Sequence, residues 1–284
     1  METTDIDLPT RANPARLPTL FIPHGGGPCF FMDPPAGAPH AWDRMAAYLR
    51  GIADSIGTRP KAVLVISAHW ETAQPTVTTG TRPPLLFDYY GFPEHTYQLT
   101  YPAPGSPQLA SRVRGLLADA GVPTHEDAAR GFDHGVFVPF LLVYPDADIP
   151  VVQLSLRSDL DPAAHIAIGQ ALAPLRDEGV LIVGSGMSYH NLREFWSNST
   201  EPAAQFDAWL TDAVEDGNVE SRNRKLIAWS EAPGAHAAHP RSEHLLPLMV
   251  AAGAAPGEPG RAPFRGQVMD VVVSAAEFGG PAKQ

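Results

Sequence analysis

The length, composition and charge of this chain favour a single globular domain and exclude several kinds of partner. Its 284 residues, of which 44% are hydrophobic and 18% charged, supply enough apolar material for one substantial core. A formal net charge of -11 argues against nucleic acids and anionic membranes, because those surfaces select clustered Lys and Arg, and it leaves small molecules as the expected partners.

The two ends of the chain are predicted to be flexible tails around one domain. Residues 1–16 are polar and contain prolines, without the basic start and apolar run of a signal peptide, and residues 279–284 are similarly small and polar. No apolar run approaches the roughly 20 residues needed to cross a bilayer. These features predict tails at 1–16 and 279–284, a domain at 17–278, and a cytoplasmic protein without a membrane partner that can form homo-oligomers.

Apolar, β-branched segments alternate with segments of helical periodicity along the domain. The predicted buried strands are LPTLFIP at 17–23, KAVLVISA at 61–68, IPVVQLSL at 149–156, GVLIVGSG at 179–186 and GQVMDVVVSAAEF at 266–278. The predicted helices cover 40–56, 106–120, 162–177, 202–216 and 244–252. Strands that alternate with helices predict a single α/β domain with a mainly parallel central sheet flanked by helices.

Three predicted strands run directly into a loop that carries a histidine. His24 follows the first strand in FIPHGGGP, His69 follows the second in VISAHW, and His190 follows a later one in LIVGSGMSYHN. A fourth histidine, His244, lies in HPRSEHLLPL at the head of a predicted helix. Because ligands of α/β sheets collect outside the carboxyl ends of the strands, the active site is predicted there.

Dispersed histidines are compatible with a metal site but have no diagnostic spacing. Neutral imidazole is the commonest metal ligand, whereas a single cysteine, Cys29, excludes a Cys-rich zinc module and is expected to be an ordinary thiol. The glycines after His24 fit either a tight turn or the close approach of a ligand. Five other histidines are expected to be ordinary surface or hydrogen-bonded residues: His40, His95, His125, His165 and His236.

Six local motifs, taken in order, resemble one enzyme family. They are FIPHGGGP, VISAHW, DYYGFPEHTYQLTYPAPGSPQLA, GFDHGVFVPFLLVYPDADIPVVQLSL, GSGMSYHNL and HPRSEHLLPL. Their order is similar to that in the class III extradiol dioxygenases, in the branch that resembles the 4,5-DOPA extradiol dioxygenases and their bacterial relatives. The resemblance covers nearly all of residues 17 to 278.

The resemblance implies a metal bound by His24, His69 and His244. The third ligand is then a histidine and not the carboxylate of the common 2-His-1-carboxylate iron site, so Fe(II) for activity and Zn(II) as a bound metal both remain open. Glu243 is the neighbour of His244, and adjacent residues on a helix point about 100° apart, so one of the two is expected to face the metal.

The resemblance also implies roles for residues around that metal. His190 would be an acid/base group or an additional ligand, and Asn191 would hold its loop through backbone hydrogen bonds. His134 in GFDHG would line the pocket and contact a substrate oxygen, with Asp133 beside it as the residue that orients it. Several aromatic residues are candidates to line the pocket for the substrate ring, Tyr89 first among them: Tyr89, Tyr90, Phe92 and Tyr101.

The activity implied is insertion of O₂ into the aromatic ring of a catechol-type substrate, giving a ring-opened semialdehyde. Two alternatives retain the histidines: a zinc-dependent, hydrolase-like enzyme on the same fold, and a non-catalytic metal-binding protein. A serine hydrolase is a third, since HGGG also occurs in some oxyanion loops. The nearest candidate for its G-x-S-x-G elbow, GMSYH at 186–190, ends in histidine and so disfavours that interpretation.

Overall fold

The computed structural model describes residues 16–194 and 200–280. Of the two predicted tails, residues 1–15 and 281–284 lie outside the described part of the chain, so the tail predictions are not tested there. In the two described ranges, no helix combines the length and the apolar character that crossing a membrane requires.

An eight-stranded, mainly parallel sheet forms the centre of the domain, as predicted. The strands in the described ranges are β1 Thr19–Pro23, β2 Ala62–Thr72, β3 Thr76–Thr78, β4 His125–Asp127, β5 Val151–Arg157, β6 Val180–Gly186, β7 Gly260–Arg261, β8 Arg265–Val268, β9 Val271–Ser274 and β10 Ala276–Phe278. The main sheet has the order β4-β3-β5-β2-β6-β1-β10-β7, and β8 and β9 pair separately. Its four middle strands, β5, β2, β6 and β1, are parallel. At one edge, β10 is antiparallel to β1 and β7 is antiparallel to β10.

Helices cover both faces of the sheet. They are α1 Asp43–Ile56, α2 Pro107–Asp119, α3 His134–Val143, α4 Pro162–Leu172, α5 Thr200–Val214, α6 Val219–Ile227, α7 Ala235–Ala238 and α8 Leu246–Gly253. Two of the predicted starts are explained by their caps, because Ser106 Oγ accepts from Leu109 N and Asp161 Oδ1 accepts from Ala163 N, each followed by a proline in the first turn. Two large apolar clusters fill the space between the sheet and the helices.

Three sequence predictions about elements were wrong or incomplete. The segment 266–278 is not one strand, because the chain turns at Met269, which has a φ of 51°, and forms the β8–β9 hairpin before β10. Helix α3 was missed because it is apolar on all sides and shows no helical period. Helix α8 begins at Leu246, so His244 lies in the preceding turn and not in the helix.

The middle of the sheet brings three strand ends to one place. Pro23 at the end of β1 is paired with Gly186 at the end of β6, and Ser67 of β2 is paired with Ser185. Strand β2 continues to Thr72 through a shift in register, and His69 lies in the irregular part between Ile66 and Glu71, where pairing with β5 resumes. The carboxyl ends of adjacent parallel strands therefore form the floor of a single site.

Candidate active site

Five histidines meet at the carboxyl edge of the middle strands, and they form two groups. The first histidine group consists of His24, His69 and His134, and the second consists of His190 and His244 together with Glu243. Within each group the candidate ligand atoms lie within 4.8 Å of one another. The groups touch, because the ring centroids of His24 and His69 lie 5.2 and 4.9 Å from that of His244.

His24 is positioned by the tight turn that follows β1. Its backbone N–H donates to the Gly186 carbonyl oxygen, and its ring Nδ1 lies 2.7 Å from the carbonyl oxygen of Gly25. Gly25 has a φ of 80°, and a Cβ there would lie 2.3 Å from Cys29 Sγ, so the turn requires glycine. Burial raises the pKa of Cys29 to about 12, which makes this thiol the ordinary packed residue that was expected.

His24 and His69 present the same ring nitrogen to each other. Their Nε2 atoms are 3.2 Å apart, and the His24 side chain is buried. A carbonyl oxygen can only accept, so Nδ1 of His24 carries the proton and its Nε2 has a lone pair directed at His69. Two nitrogens that each lie about 2.0–2.1 Å from one ion can be at most about 4.2 Å apart, and this pair satisfies that limit.

His134 begins helix α3 and is held by Asp88, a residue that sequence reasoning missed. Asp88 Oδ1 lies 2.9 Å from His134 Nδ1, and the His134 ring centroid lies 3.9 Å from that of His69. The expectation that Asp133 orients His134 was wrong. Asp133 instead accepts hydrogen bonds from Ser67 Oγ and from Arg130 and Gln153 beneath the site. The available signal for Asp88 was its place in the DYYGFPEH motif.

The second histidine group is built around Glu243. Glu243 Oε1 lies 2.7 Å from His244 Nδ1 and 3.4 Å from His190 Nδ1. The two imidazole rings are stacked, with centroids 3.3 Å apart and an interplanar angle of 12°. Nε2 of His244 is buried and has no hydrogen-bond partner, which makes it an orphaned polar atom aimed into the site. Glu243 therefore supports His244 from behind, whereas helical geometry had predicted that the two side chains diverge.

Backbone carbonyls hold the His190 loop against the turn that follows helix α7. His190 N donates to the Ala238 carbonyl oxygen at 2.9 Å, and Asn191 Nδ2 donates to that of Ala237 at 2.8 Å. In the other direction, the buried ring of His239 donates from Nε2 to the carbonyl oxygen of Ser188 at 3.0 Å. These bonds give Asn191 the loop-holding contact expected of it.

Burial keeps the imidazoles of His24, His69 and His244 neutral, whereas hydrogen bonds keep the carboxylates of Asp88 and Glu243 charged. Desolvation, reinforced by neighbouring imidazoles, lowers the pKa of His24 and His244 well below the usual value and lowers the pKa of His69 to about 3. Burial alone would raise the pKa of Asp88 and Glu243, but hydrogen bonds from His134 and His190 outweigh it and lower both. Neutral imidazoles with free lone pairs are the form that binds metal ions.

An aromatic cluster lies behind His134. The ring of Tyr89 is 5.8 Å from that of His134, but its hydroxyl donates to the Thr96 carbonyl oxygen at 2.7 Å. Phe92 contacts Tyr89 edge-to-face, whereas Tyr90 is 91% exposed. Tyr101 is buried and donates to the carbonyl oxygen of Tyr144. Of the four aromatic candidates, Tyr89 and Phe92 are therefore in this cluster.

The fold and the site together define an α/β protein whose central sheet carries a histidine cluster at its carboxyl edge. Residues 18–275 match the family described as the catalytic LigB subunit of aromatic ring-opening dioxygenase. A 4,5-DOPA dioxygenase extradiol of Beta vulgaris is 50% identical over 206 residues, which cover 69% of this chain and 74% of that protein. One of Escherichia coli strain K12 is 38% identical and covers 86% of this chain and 87% of its own length.

Two further relatives extend the match. A dioxygenase of Hapsidospora irregularis is 38% identical over 84% of this chain and 78% of its own length. The crystal structure of an uncharacterized protein from Escherichia coli K12 superposes with a TM-score of 0.74 at 33% identity, covering 93% of this chain and all of that one.

The chain belongs to the family of catalytic subunits of aromatic ring-opening dioxygenases. It is therefore an aromatic ring-opening dioxygenase of the extradiol type, which confirms the predicted family and enzyme class. Its substrates are a small aromatic molecule and O₂. The hydrolase and non-catalytic alternatives gain no support from these relatives.

Proposed function

We propose that this enzyme is a metal-dependent extradiol dioxygenase of catechol-type substrates that produces a ring-opened semialdehyde. The observation that carries the proposal is the orphaned, buried Nε2 of His244, whose ring centroid lies 5.2 and 4.9 Å from those of His24 and His69. A buried nitrogen without a partner costs about 1–3 kcal/mol unless something binds it, and a metal ion would satisfy this atom together with the Nε2 lone pair of His24.

The proposed ligands of a divalent metal are His24 and His69 of the first histidine group and His244 of the second. All three rings are neutral because of burial, and Nδ1 of His24 and of His244 lies against an acceptor that leaves Nε2 free. Fe(II) is the metal proposed for activity, because a redox-active ion supplies the means to activate O₂ toward the ring. Zn(II) fits the same three nitrogens and is proposed only as a bound metal without ring-opening activity.

His190 is the proposed acid/base group. Its side chain is 23% exposed, so a substrate can reach it, and Glu243 lies on its Nδ1 side. This arrangement leaves Nε2 to take a proton from a diol hydroxyl and to return a proton later in the reaction. Stacking on His244 keeps the ring beside the proposed metal ligands.

His134 and Tyr89 are proposed to contact the substrate. His134 lies against His69 and offers a ring nitrogen to a substrate oxygen, while Asp88 occupies its other nitrogen. Tyr89 can contribute its ring but not its hydroxyl, which already donates to Thr96. The aromatic cluster behind these residues, in which Tyr89 is buried and Phe92 partly buried, limits the access of water from that side of the site.

The test is anaerobic reconstitution of the metal-free protein with Fe(II) and, in parallel, with Zn(II). The Fe(II) protein is expected to consume O₂ with members of a catechol panel and to form a yellow semialdehyde, whereas the Zn(II) protein consumes none. A protein that holds one Fe(II) but consumes no O₂ with any catechol would contradict the proposal. The zinc-dependent alternative would be favoured if the Zn(II) protein converted another aromatic substrate without O₂ while the Fe(II) protein opened no catechol.

A further inference from the structure

The segment that carries Asp88 is paired with the segment that carries His134. Leu86 N donates to the Phe132 carbonyl oxygen and Phe132 N donates to that of Pro84, both at 2.8 Å, and Leu85 and Phe132 form a parallel bridge. Gly131 permits this approach, because a Cβ there would lie 2.5 Å from the Pro84 carbonyl oxygen. The pairing sets the register that brings residue 88 next to residue 134.

One oxygen of Asp88 receives two bonds from His134. Asp88 Oδ1 lies 2.9 Å from the backbone N of His134 and 2.9 Å from its ring Nδ1. The two contacts fix both the start of helix α3 and the orientation of the imidazole on it. Although the Asp88 backbone faces solvent, its side chain is only 19% exposed, and that of His134 is 8% exposed, so water competes weakly for these bonds.

The second oxygen of Asp88 faces a different histidine. Asp88 Oδ2 lies 3.6 Å from Nδ1 of His69, too long for a direct hydrogen bond. The carboxylate therefore spans the two rings, which are themselves 3.9 Å apart, but it bonds directly only to His134.

We infer that Asp88 is a positioning residue that holds His134 in the tautomer with the proton on Nδ1. A carboxylate accepts and does not donate, so the ring donates from Nδ1, and in the neutral imidazole this leaves the lone pair on Nε2. That lone pair can accept a hydrogen bond from a substrate hydroxyl, whereas the other tautomer would present an N–H. The kinetic consequence rests on the proposed ring-opening function; the tautomer itself does not.

The tautomer can be measured directly in metal-free protein labelled with ¹⁵N-histidine. Long-range ¹H–¹⁵N correlation spectra distinguish Nδ1–H from Nε2–H imidazoles, and the His134→Gln variant assigns the signal. Wild type is expected to show the Nδ1–H form at His134. Asp88→Ala should mix or reverse the tautomers, and Asp88→Asn, which keeps an oxygen facing His134, should retain the Nδ1–H form.

Kinetics of the Fe(II)-loaded enzyme then test whether the tautomer matters. Asp88→Ala is expected to lower kcat about 10- to 100-fold with little change in KM or metal content, and Asp88→Asn to recover part of the loss. If Asp88 acts through His134, adding Asp88→Ala to the His134→Gln variant should lower kcat by less than about 2-fold further. The matched control is Asp127→Ala, because Asp127 accepts from backbone N–H groups of Ala129 and Arg130 and contacts no imidazole in the structure.

Four outcomes would overturn the inference. They are an Nε2–H signal at His134 in wild type, a kcat for Asp88→Ala within 2-fold of wild type, metal loss in step with activity, and additive losses in the double variant. If Asp88→Ala does not fold, the nearly isosteric Asp88→Asn replaces it, and an Nε2–H signal at His134 in that variant would also overturn the inference. If wild type opens no catechol, the proposed function fails, and the labelled spectra still decide the tautomer.

Discussion

The two histidine groups of the site are positioned by different physical means. In the first group, His24 and His69 come from neighbouring parts of one sheet, where β1 and β2 both flank β6. In the second group, His190 and His244 come from loops and are held by the carbonyl of Ala238 and the carboxylate of Glu243. The sheet therefore determines the position of His24 and His69, whereas individual hydrogen bonds determine that of His190 and His244.

The largest expected effect tests whether both groups supply metal ligands. His24→Ala, His69→Ala and His244→Ala should each abolish tight metal binding with the fold retained, because each removes one of three proposed ligand nitrogens. His239→Ala should keep the metal, since His239 Nε2 is used by the Ser188 carbonyl. Metal content per folded protein is the measurement. Retention in His244→Ala with loss in His239→Ala would show that the second group contributes a different histidine.

The next effect separates metal binding from proton transfer within the second group. His190→Gln should keep a stoichiometric metal and bind catechol, yet lose about 10²- to 10⁴-fold in kcat, as expected for a missing general acid/base. The loss should fall on kcat more than on KM, because proton transfer is needed in the transition state and not for ground-state binding. If His190→Gln instead lost its metal in step with its activity, His190 would be a metal ligand like His244.

A smaller effect compares the carboxylates that support the two groups. Glu243→Gln should weaken metal affinity about 10- to 100-fold, because it replaces the acceptor 2.7 Å from Nδ1 of the proposed ligand His244. Asp88→Ala should leave metal affinity nearly unchanged, since Asp88 bonds directly to His134 and not to a proposed ligand. Competition titrations with a metal chelator measure both. Equal losses of metal affinity in the two variants would show that Asp88 and Glu243 do not differ in their support of metal ligands.

The last effect is on stability and concerns buried His239, which bonds to the loop that carries His190. Desolvation lowers the pKa of buried His239 to about 4. In the unfolded chain the same side chain has a pKa near 6.5, so it becomes protonated there at a higher pH than in the folded protein. The contribution of neutral His239 to the free energy of unfolding is therefore complete above about pH 6.5. It decreases as the pH falls, by at most about 3 kcal/mol near pH 4. His239→Gln should flatten the acid side of the urea-unfolding profile of metal-free protein. Replacement of the exposed His125 with glutamine should leave that profile unchanged, and an equal flattening there would refute the role of His239 burial.

The sequence predicted the histidines at strand ends better than His244 because strands leave a local signal. Apolar runs ending at Pro23 and Ala68 predicted that His24 and His69 lie at strand ends, and the paired register brings them together. His244 was placed on a helix that in fact starts two residues later, so the geometric argument about Glu243 failed. A turn and a first helical turn differ by a few dihedral angles that residue types alone do not determine.

What the sequence determined by itself was the alternation of the main strands with helices, the parallel character of the sheet, and the histidines that follow its strands, because these follow from local periodicity and from the shared direction of parallel strands. Only the tertiary structure decided which carboxylate serves which imidazole. Asp133 is adjacent to His134 in sequence but points beneath the sheet end, while Asp88, 46 residues away, reaches the ring through the pairing of residues 84–86 with Phe132. Hydrogen-bond partners are chosen by distance and direction in space, and a sequence records neither.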